Sequence, residues 1–380
     1  MGVLIIRILL GTQFPDINEN VWGGVQAVSM NLYHGFLKYN NNNTVQFVSG
    51  SNRINGSSNS YQNVCYIKKP IIKCGSIFLS TYPLRISNFL NKNPYDILNA
   101  HTIDFAHRGL YNAKKLIYTP HGFNWIEKQY ISPMKKPLWN LFYVKRYFKI
   151  MKSLEYVISI NQYSTKLFQY HTNAKIFEIA NPVADEFFTI KEAPLSNTML
   201  WMGVISRMKN LLPLLKALVL VKKEIKDFTL YLAGKIEDVT YYTEVLDFIK
   251  KHDLEHNVQY IGIVNSHKKV ETFSNISLFI LTSLNEHAPM VISESFASSK
   301  PVIASDIGGV PYMVNDGKTG FLIDPLNEYE IAEKILYLLQ NPIEMKKMGK
   351  EAKQYALKNN RLSTVINAYI KAYTFVYNNQ

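Results

Sequence analysis

Two carboxylates stand out because of what lies between them. Glu286 follows an apolar run, Leu278 to Leu281, and a polar loop containing Ser283 and Asn285. Glu294 comes eight residues later, inside a helical pattern that opens at Pro289 and runs through Phe296. Proline suits a first helical turn, where its missing N–H would have no partner anyway. The start of a helix offers free backbone N–H groups, here those of Met290 and Val291, and such groups favour an anion such as a diphosphate. A carboxylate binds phosphate poorly but accepts well from paired sugar hydroxyls. The order carboxylate, amide nest, carboxylate therefore suits a ligand with hydroxyls at both ends and phosphates between them, as a nucleotide-sugar has. The competing reading is two solvated glutamates, favoured early in a helix by its dipole.

The elements that must position these groups are legible on either side. Leu278–Leu281 has the length of a buried strand. A second apolar run, Val302 to Ala304, follows Lys300-Pro301, and Gly308-Gly309 turns the chain again. This is a strand–loop–helix–strand unit of the parallel α/β kind. Gly317-Lys318-Thr319 mimics the end of a P-loop, but Tyr312 occupies the required first-glycine position.

The stretch from Leu278 to Pro325 resembles retaining glycosyltransferases of GT-B architecture, specifically glycosyltransferase family 4. Glu286 and Glu294 have the E-x7-E spacing of that family. Pro289, the run Lys300 to Asp306, Gly308-Gly309-Val310-Pro311, Asn315-Asp316-Gly317 and Gly320-Phe321 match in order. His287-Ala288 departs from the usual Gly-Phe. Further upstream, Lys209-Asn210 matches the family's Lys-Gly/Asn pair, but Val204 stands where an arginine is usual. A lysine at a helix start opposes the dipole, so Lys209 needs another reason to be there, and a phosphate supplies one.

The resemblance implies an α/β chain of GT-B fold: two Rossmann-like domains with parallel sheets facing an interdomain cleft, and a C-terminal helix crossing back to the first. The expected boundaries are 1–190 for the acceptor-side domain, 195–350 for the nucleotide-sugar domain and 351–380 for the returning helix, with Ala193-Pro194-Leu195 as linker. It also implies roles. Glu294 grips ribose hydroxyls, Glu286 holds the transferred sugar, and Lys209 with the amides of Met290 and Val291 takes the diphosphate charge. Ala288 lines the donor site, and Gly262, like Gly234, ends a strand that faces the nucleotide. Gly23-Gly24 stands near the diphosphate and the acceptor. His101, after the strand-like Tyr95 to Ala100, contacts the transferred sugar, and His121 has a lesser, cleft-lining place. Two readings of Arg207 stand: it supplies the charge missing at Val204, since a guanidinium reaches far and binds phosphate in a bidentate manner, or it points to solvent and Lys209 with the helix amides suffices.

The whole chain sets outer limits. Its 380 residues suffice for two domains, and 47% hydrophobic content is that of a globular protein. Cys65 and Cys74 make neither a disulfide framework nor a zinc site, which suits a cytoplasmic location. The run from Val3 to Leu10 is interrupted by Arg7 and reads as a first buried strand, and no segment reaches the roughly 18 apolar residues of a membrane span. A net charge of +13 favours anionic partners, but no nucleic-acid-binding signature is present. No G-x-G-x-x-G follows the first strand, so a dinucleotide dehydrogenase is not supported. Asn40 to Asn63, rich in Asn, Ser and Gly, reads as a surface crossing. Residues 135–154 are amphipathic, with Lys145, Arg146, Lys149 and Lys152 opposite an apolar side, and would suit peripheral contact with an anionic membrane surface.

The expected reaction moves a sugar from a UDP- or GDP-linked donor to a sugar or lipid-linked acceptor, with retention, in glycan, polysaccharide or glycolipid assembly. The nucleotide-sugar is a substrate, so no cofactor is expected; nor is a metal, since no Asp-x-Asp pair is present. Two rivals stand: a sugar phosphorylase or epimerase of the same fold, and a non-catalytic nucleotide- or lipid-binding protein that retains it.

Overall fold

The computed structural model describes residues 5–16, 23–40, 42–53, 55–58, 60–69, 72–74, 77–79, 81–122, 144–191 and 197–379. The chain forms two compact units, Met1–Pro182 with Leu362–Gln380, and Val183–Arg361. Val21, Trp22, residues 135–143 and the expected linker lie outside the described residues.

Unit one is built on β1 (Arg7–Thr12), β2 (Thr44–Ser51), β3 (Gly56–Ser57) and β4 (Val64–Lys68). A separate antiparallel pair, β5 (Ile72–Cys74) and β6 (Ile77–Leu79), precedes β7 (Ile97–Ala100), β8 (Leu116–Tyr118), β9 (Tyr156–Ser159) and β10 (Lys175–Glu178). The main sheet runs β10-β9-β8-β7-β1-β2-β4-β3, parallel except where β3 meets β4. β1 is central; β2, β4 and the edge strand β3 extend the sheet on one side, and the chain restarts at β7 on the other. The stretch expected to cross the surface, Asn40 to Asn63, instead contains β2, with Val45, Phe47 and Val48 buried beside β1. Apolar residues on both faces are what a parallel strand covered on both sides requires.

Unit two contains β11 (Thr198–Met202), β12 (Thr229–Ala233), β13 (Val258–Gly262), β14 (Leu278–Leu281), β15 (Val302–Ser305) and β16 (Gly320–Ile323). Its sheet order is β13-β12-β11-β14-β15-β16, parallel throughout. Met199, Trp201, Leu230, Leu232, Leu278, Ile280 and Ile303 share one buried cluster with Leu214, Leu215 and Leu218 of the Leu211–Glu224 helix. Here too the strand order reverses at the first strand, between β11 and β14. Open parallel sheets bind ligands beyond the strand C-termini at such a reversal.

The units divide at Pro182/Val183 and Arg361/Leu362, not at the expected 190 and 350. Phe187, in the short Asp185–Phe188 helix, is buried and packs edge-on against Phe273 of unit two, 5.6 Å between ring centroids. The expected tail helix over 351–380 is two helices, Pro342–Asn359 and Leu362–Asn378. The break is held by Val183, whose N–H donates to the Asn360 carbonyl at 2.8 Å and which bridges to Arg361. The last helix belongs to unit one and buries Leu362, Val365, Ile366, Tyr369, Ala372, Tyr373 and Val376, a three-and-four-residue stripe. Among the described residues no helix is long and apolar enough to cross a membrane.

One glycine fixes how the strand ends of unit two stack. Gly234, just past β12, has φ +138°, and a Cβ there would lie 1.8 Å from the Gly203 carbonyl oxygen beyond β11. Gly234→Ala is therefore expected to destabilise the protein by more than the roughly 1–3 kcal/mol of backbone strain alone. Gly317→Ala, at φ +70° with open space around it, should cost only the strain. Urea unfolding of the two variants gives the comparison; equal losses would show that the close approach to Gly203 is not sterically limiting.

Candidate active site

The loops that leave β11 and β14 meet across the reversal in unit two. The Leu284 N–H donates to the Met208 carbonyl at 2.8 Å, and the Thr282 hydroxyl donates to the Asn210 carbonyl at 3.0 Å. Asn210 takes a left-handed conformation, φ 52°, and its side chain donates to the Pro325 carbonyl at 2.8 Å. Asparagine tolerates that region better than most residues. The short Arg207–Lys209 turn before it is thereby held over the C-terminal edge of the sheet.

From this turn the Lys209 ammonium pairs with Glu286 Oε1. The same oxygen accepts the Ser283 hydroxyl at 2.8 Å. Their side chains are 18% and 11% exposed, so the pair is mostly withdrawn from water. The Glu286 backbone is pinned as well: its carbonyl accepts the Gly309 N–H at 3.0 Å, and a Cβ on Gly308 (φ +53°) would lie 2.1 Å from that oxygen. Only glycine at 308 allows so close an approach. Beyond the loop, Pro289 is the N-cap of the Met290–Ala297 helix, which places the Met290 and Val291 amides in its first turn. Ala288 is half-buried just before it, and Gly262 closes β13.

Glu294 lies in the second turn and is buried, its side chain 5% exposed. Its partner is Lys269, whose Nζ stands 2.5 Å from Oε2, from the Ser266–Ser274 helix that follows β13. Sequence reasoning missed Lys269. The signal that could have found it is its place near the start of the Ser266–Ser274 helix, where a cation opposes the dipole.

Arg207 does not join this group. Its guanidinium, 59% exposed, pairs with Glu244, stands 3.9 Å from Asp238, and lies over the Tyr241 ring at 5.3 Å. The expectation that it replaces an arginine at Val204 thus meets a side chain engaged by the Val239–Lys251 helix. In unit one, Gly23 is the N-cap and Gly24 the first residue of the Gly24–Tyr39 helix.

A second polar cluster lies within unit one, at its own strand-order reversal. The His101 N–H, just past β7, donates to the Gly11 carbonyl of β1 at 2.7 Å. His101 Nδ1 and His121 Nε2 are 2.9 Å apart. The Tyr369 ring of the last helix stacks over His101, centroids 6.5 Å apart. Below them, Thr119 donates to Asn99 at 2.8 Å, and Asn99 donates to the Tyr373 hydroxyl at 2.9 Å. Burial, reinforced by His121, holds His101 well below its ordinary value of 6.5, and desolvation lowers His121 to about 4. Near neutral pH both rings are uncharged, so one donates and the other accepts. His101 Nε2 is buried without a hydrogen-bond partner among the described residues.

Residues 184–355 match the family model described as Glycosyl transferases group 1. A trehalose synthase from Pyrococcus horikoshii is 32% identical over 157 residues, 40% of this chain and 37% of that protein. The matched stretch spans between 29% and 37% of the length of the first three curated relatives. Among solved structures, sucrose-phosphate synthase from Thermosynechococcus elongatus superposes with TM-score 0.77 at 16% identity, covering 98% of this chain and 99% of that one. HepE of Anabaena, in complex with UDP and glucose, gives TM-score 0.73 at 18% identity over 97% and 99%. The chain has the GT-B fold.

The histidine pair has a consequence for stability. A base whose folded pKa is depressed leaves the unfolded chain holding more protons between the two values, so stability falls as pH drops. The window opens at 6.5 and extends to about 4 for His121. Each such histidine contributes up to about 1.4 kcal/mol per pH unit there. Between pH 7 and 5 the wild type should lose roughly 1–2 kcal/mol more unfolding free energy than His121→Asn. Matching slopes in urea titrations would mean that the pair is solvated.

Proposed function

We propose that this chain, with a group 1 glycosyltransferase match over residues 184–355, moves a sugar from a nucleoside diphosphate to an acceptor hydroxyl with retention of configuration, as family 4 enzymes do. The observation that carries the reading is the Lys209–Glu286 pair at the reversal point of unit two, beside the first turn of the Met290–Ala297 helix. A cation and the free amides of a helix start are groups that take diphosphate charge, and a carboxylate that accepts from Ser283 can also accept from sugar hydroxyls, which supports the reading. Neighbours in fold that hold UDP with glucose, such as HepE, support a nucleotide-sugar donor. UDP- and GDP-linked sugars are the donors proposed, used as substrates with no cofactor, and the acceptor is a sugar or lipid-linked sugar in polysaccharide or glycolipid assembly.

In this reading the bond from the anomeric carbon to the diphosphate breaks, with its electron pair leaving on phosphate oxygen. The acceptor oxygen bonds to the same face of that carbon and its proton passes to the released diphosphate. Lys209 and the Met290 and Val291 amides meet the charge that develops on the leaving group, a term worth roughly 10²–10³ in turnover per donor lost. Glu286 orients the transferred sugar and Glu294 the ribose. Arg207 would contribute only by leaving Glu244 and Asp238, so the diphosphate charge rests on Lys209.

A panel of UDP- and GDP-sugars, scored for turnover in EDTA, tests this. At least one donor should be consumed without added metal, and the product anomer, read by NMR, should keep the donor's configuration. An inverted product, or activity restored only by Mg²⁺ or Mn²⁺, would refute it.

We further propose peripheral attachment to an anionic membrane through the described part of the basic segment, the Lys145–Ser153 helix. Tyr147, Ile150 and Met151 are buried, while Lys145, Lys149 and Lys152 are exposed. Each cation near such a surface is worth about 1 kcal/mol. Co-sedimentation with anionic vesicles should fall with salt and with the three lysines changed to Glu; equal recovery on neutral vesicles would reduce the helix to a packing element.

A further inference from the structure

The strongest unexplained feature of unit two is a lysine that the donor-site reading does not use. Lys269 lies in the first turn of the Ser266–Ser274 helix, where its own N–H donates to the Asn265 carbonyl at 2.8 Å. An ammonium there opposes the helix dipole. It is nevertheless turned onto Glu294, 2.5 Å from Oε2, with side chains 18% and 5% exposed. The contact is ionic but not an aligned hydrogen bond: Oε2 is buried with no hydrogen-bond partner among the described residues. The carboxylate therefore has acceptor capacity unspent, and the ammonium, with three N–H donors, has donors to spare. Buried polar atoms are left so rarely that each one calls for an explanation.

The place of the pair says what would use that capacity. Lys269 follows β13 and Glu294 follows β14, so both stand beyond the C-terminal ends of parallel strands, where a ligand sits. A hydroxyl is at once a donor and an acceptor. A carboxylate alone can answer only its O–H. A carboxylate and an ammonium side by side answer both, and a vicinal diol presents two such groups at that scale.

We propose that Lys269 is a specificity-determining residue of the donor site, reading with Glu294 the paired hydroxyls of the donor's ribose. This rests on the reading of Glu294 as the ribose-binding carboxylate. The carboxylate accepts from the hydroxyls, and Lys269, the more exposed partner, donates to a hydroxyl oxygen. A 2′-deoxyribose removes one of these partners and leaves the charged pair unmatched, which is how a site built for a hydroxyl rejects the analogue without it.

Calorimetry on the full chain with UDP, GDP and their 2′-deoxy counterparts tests the proposal. The wild type should bind its preferred ribonucleotide about 10- to 100-fold more tightly than the deoxy form, the range of a hydrogen bond to a charged group. In Lys269→Met, which keeps the apolar stem, the ribonucleotide should weaken by about that factor while the deoxy form changes by less than about threefold. Lys269→Arg should keep most of the preference. A lysine that only neutralises Glu294 would, when removed, weaken both nucleotides alike and leave their ratio intact; that result overturns the proposal, as does a wild type indifferent to the 2′-hydroxyl. Should Lys269→Met not fold, the same change in a Glu294→Gln background, where no carboxylate is left unpaired, is compared with Glu294→Gln alone: a further loss of the ribo-over-deoxy preference supports the proposal and an unchanged ratio overturns it. A wild type that binds neither UDP nor GDP removes the donor-site reading itself, and this inference with it.

Discussion

The pairing of Lys209 with Glu286 is the constraint on which the arrangement of unit two depends. Each group comes from a different crossover of the sheet, and neither would stay so far from water alone, because an unpaired charge removed from solvent costs several kcal/mol. To meet, the loops after β11 and β14 must lie side by side, which the Leu284–Met208 and Thr282–Asn210 hydrogen bonds secure. The left-handed backbone at Asn210 and the missing side chain at Gly308 then follow as local requirements of that meeting. Removing one partner would leave the other charge with only Ser283 or nothing, so the pair is held as a unit.

The two units solve the same problem with different chemistry. Unit two holds its buried polar groups with opposite charges, Lys209 on Glu286 and Lys269 on Glu294. Unit one uses neutral groups: two uncharged histidines, Asn99, Thr119 and two tyrosines of the last helix. Desolvation makes the neutral solution self-consistent, since it is burial that keeps His101 and His121 unprotonated. The apolar stripe of the Leu362–Asn378 helix brings Tyr369 and Tyr373 to the cluster formed by Asn99, His101, Thr119 and His121.

Much of unit two was legible because parallel strands covered on both faces read as short, unbroken apolar runs. Leu278–Leu281 and Val302–Ser305 are examples, and with Pro289 and Gly308 as punctuation they fix where Glu286 and Glu294 fall. β2 was obscured for a compositional reason: Val45, Phe47 and Val48 sit among asparagines and serines, and a reading averaged over Asn40 to Asn63 dilutes them. Ala193-Pro194 points to a boundary near 190, whereas the chain changes unit at Pro182/Val183, and Phe187, eight residues before Leu195, already packs against Phe273. Ion-pair partners were the least legible. Whether Arg207 meets Glu244 or a phosphate, and whether Lys269 meets Glu294, depends on which helix faces are neighbours, and periodicity within one segment does not carry that information.

Two carboxylates, each matched by a lysine, also bear on how the proposed anionic donor would be received. Each of these carboxylates is balanced by an ammonium, so their charges are compensated locally although the chain carries +13. A diphosphate that draws Lys209 toward itself takes away half of the Glu286 pair, and an ionised carboxylate left alone there would be costly. Sugar hydroxyls can repair the loss by donating to Glu286, because hydrogen bonds to a charged group are among the stronger ones. On the proposed reading, phosphate and hydroxyl recognition would be coupled: the ammonium would be released to the anion at least cost when the hydroxyls arrive with it. A free diphosphate offers only half of that exchange, and a neutral sugar the other half. On that reading a ligand that joins both in one molecule would be the one for which the Lys209–Glu286 pair is least expensive to open.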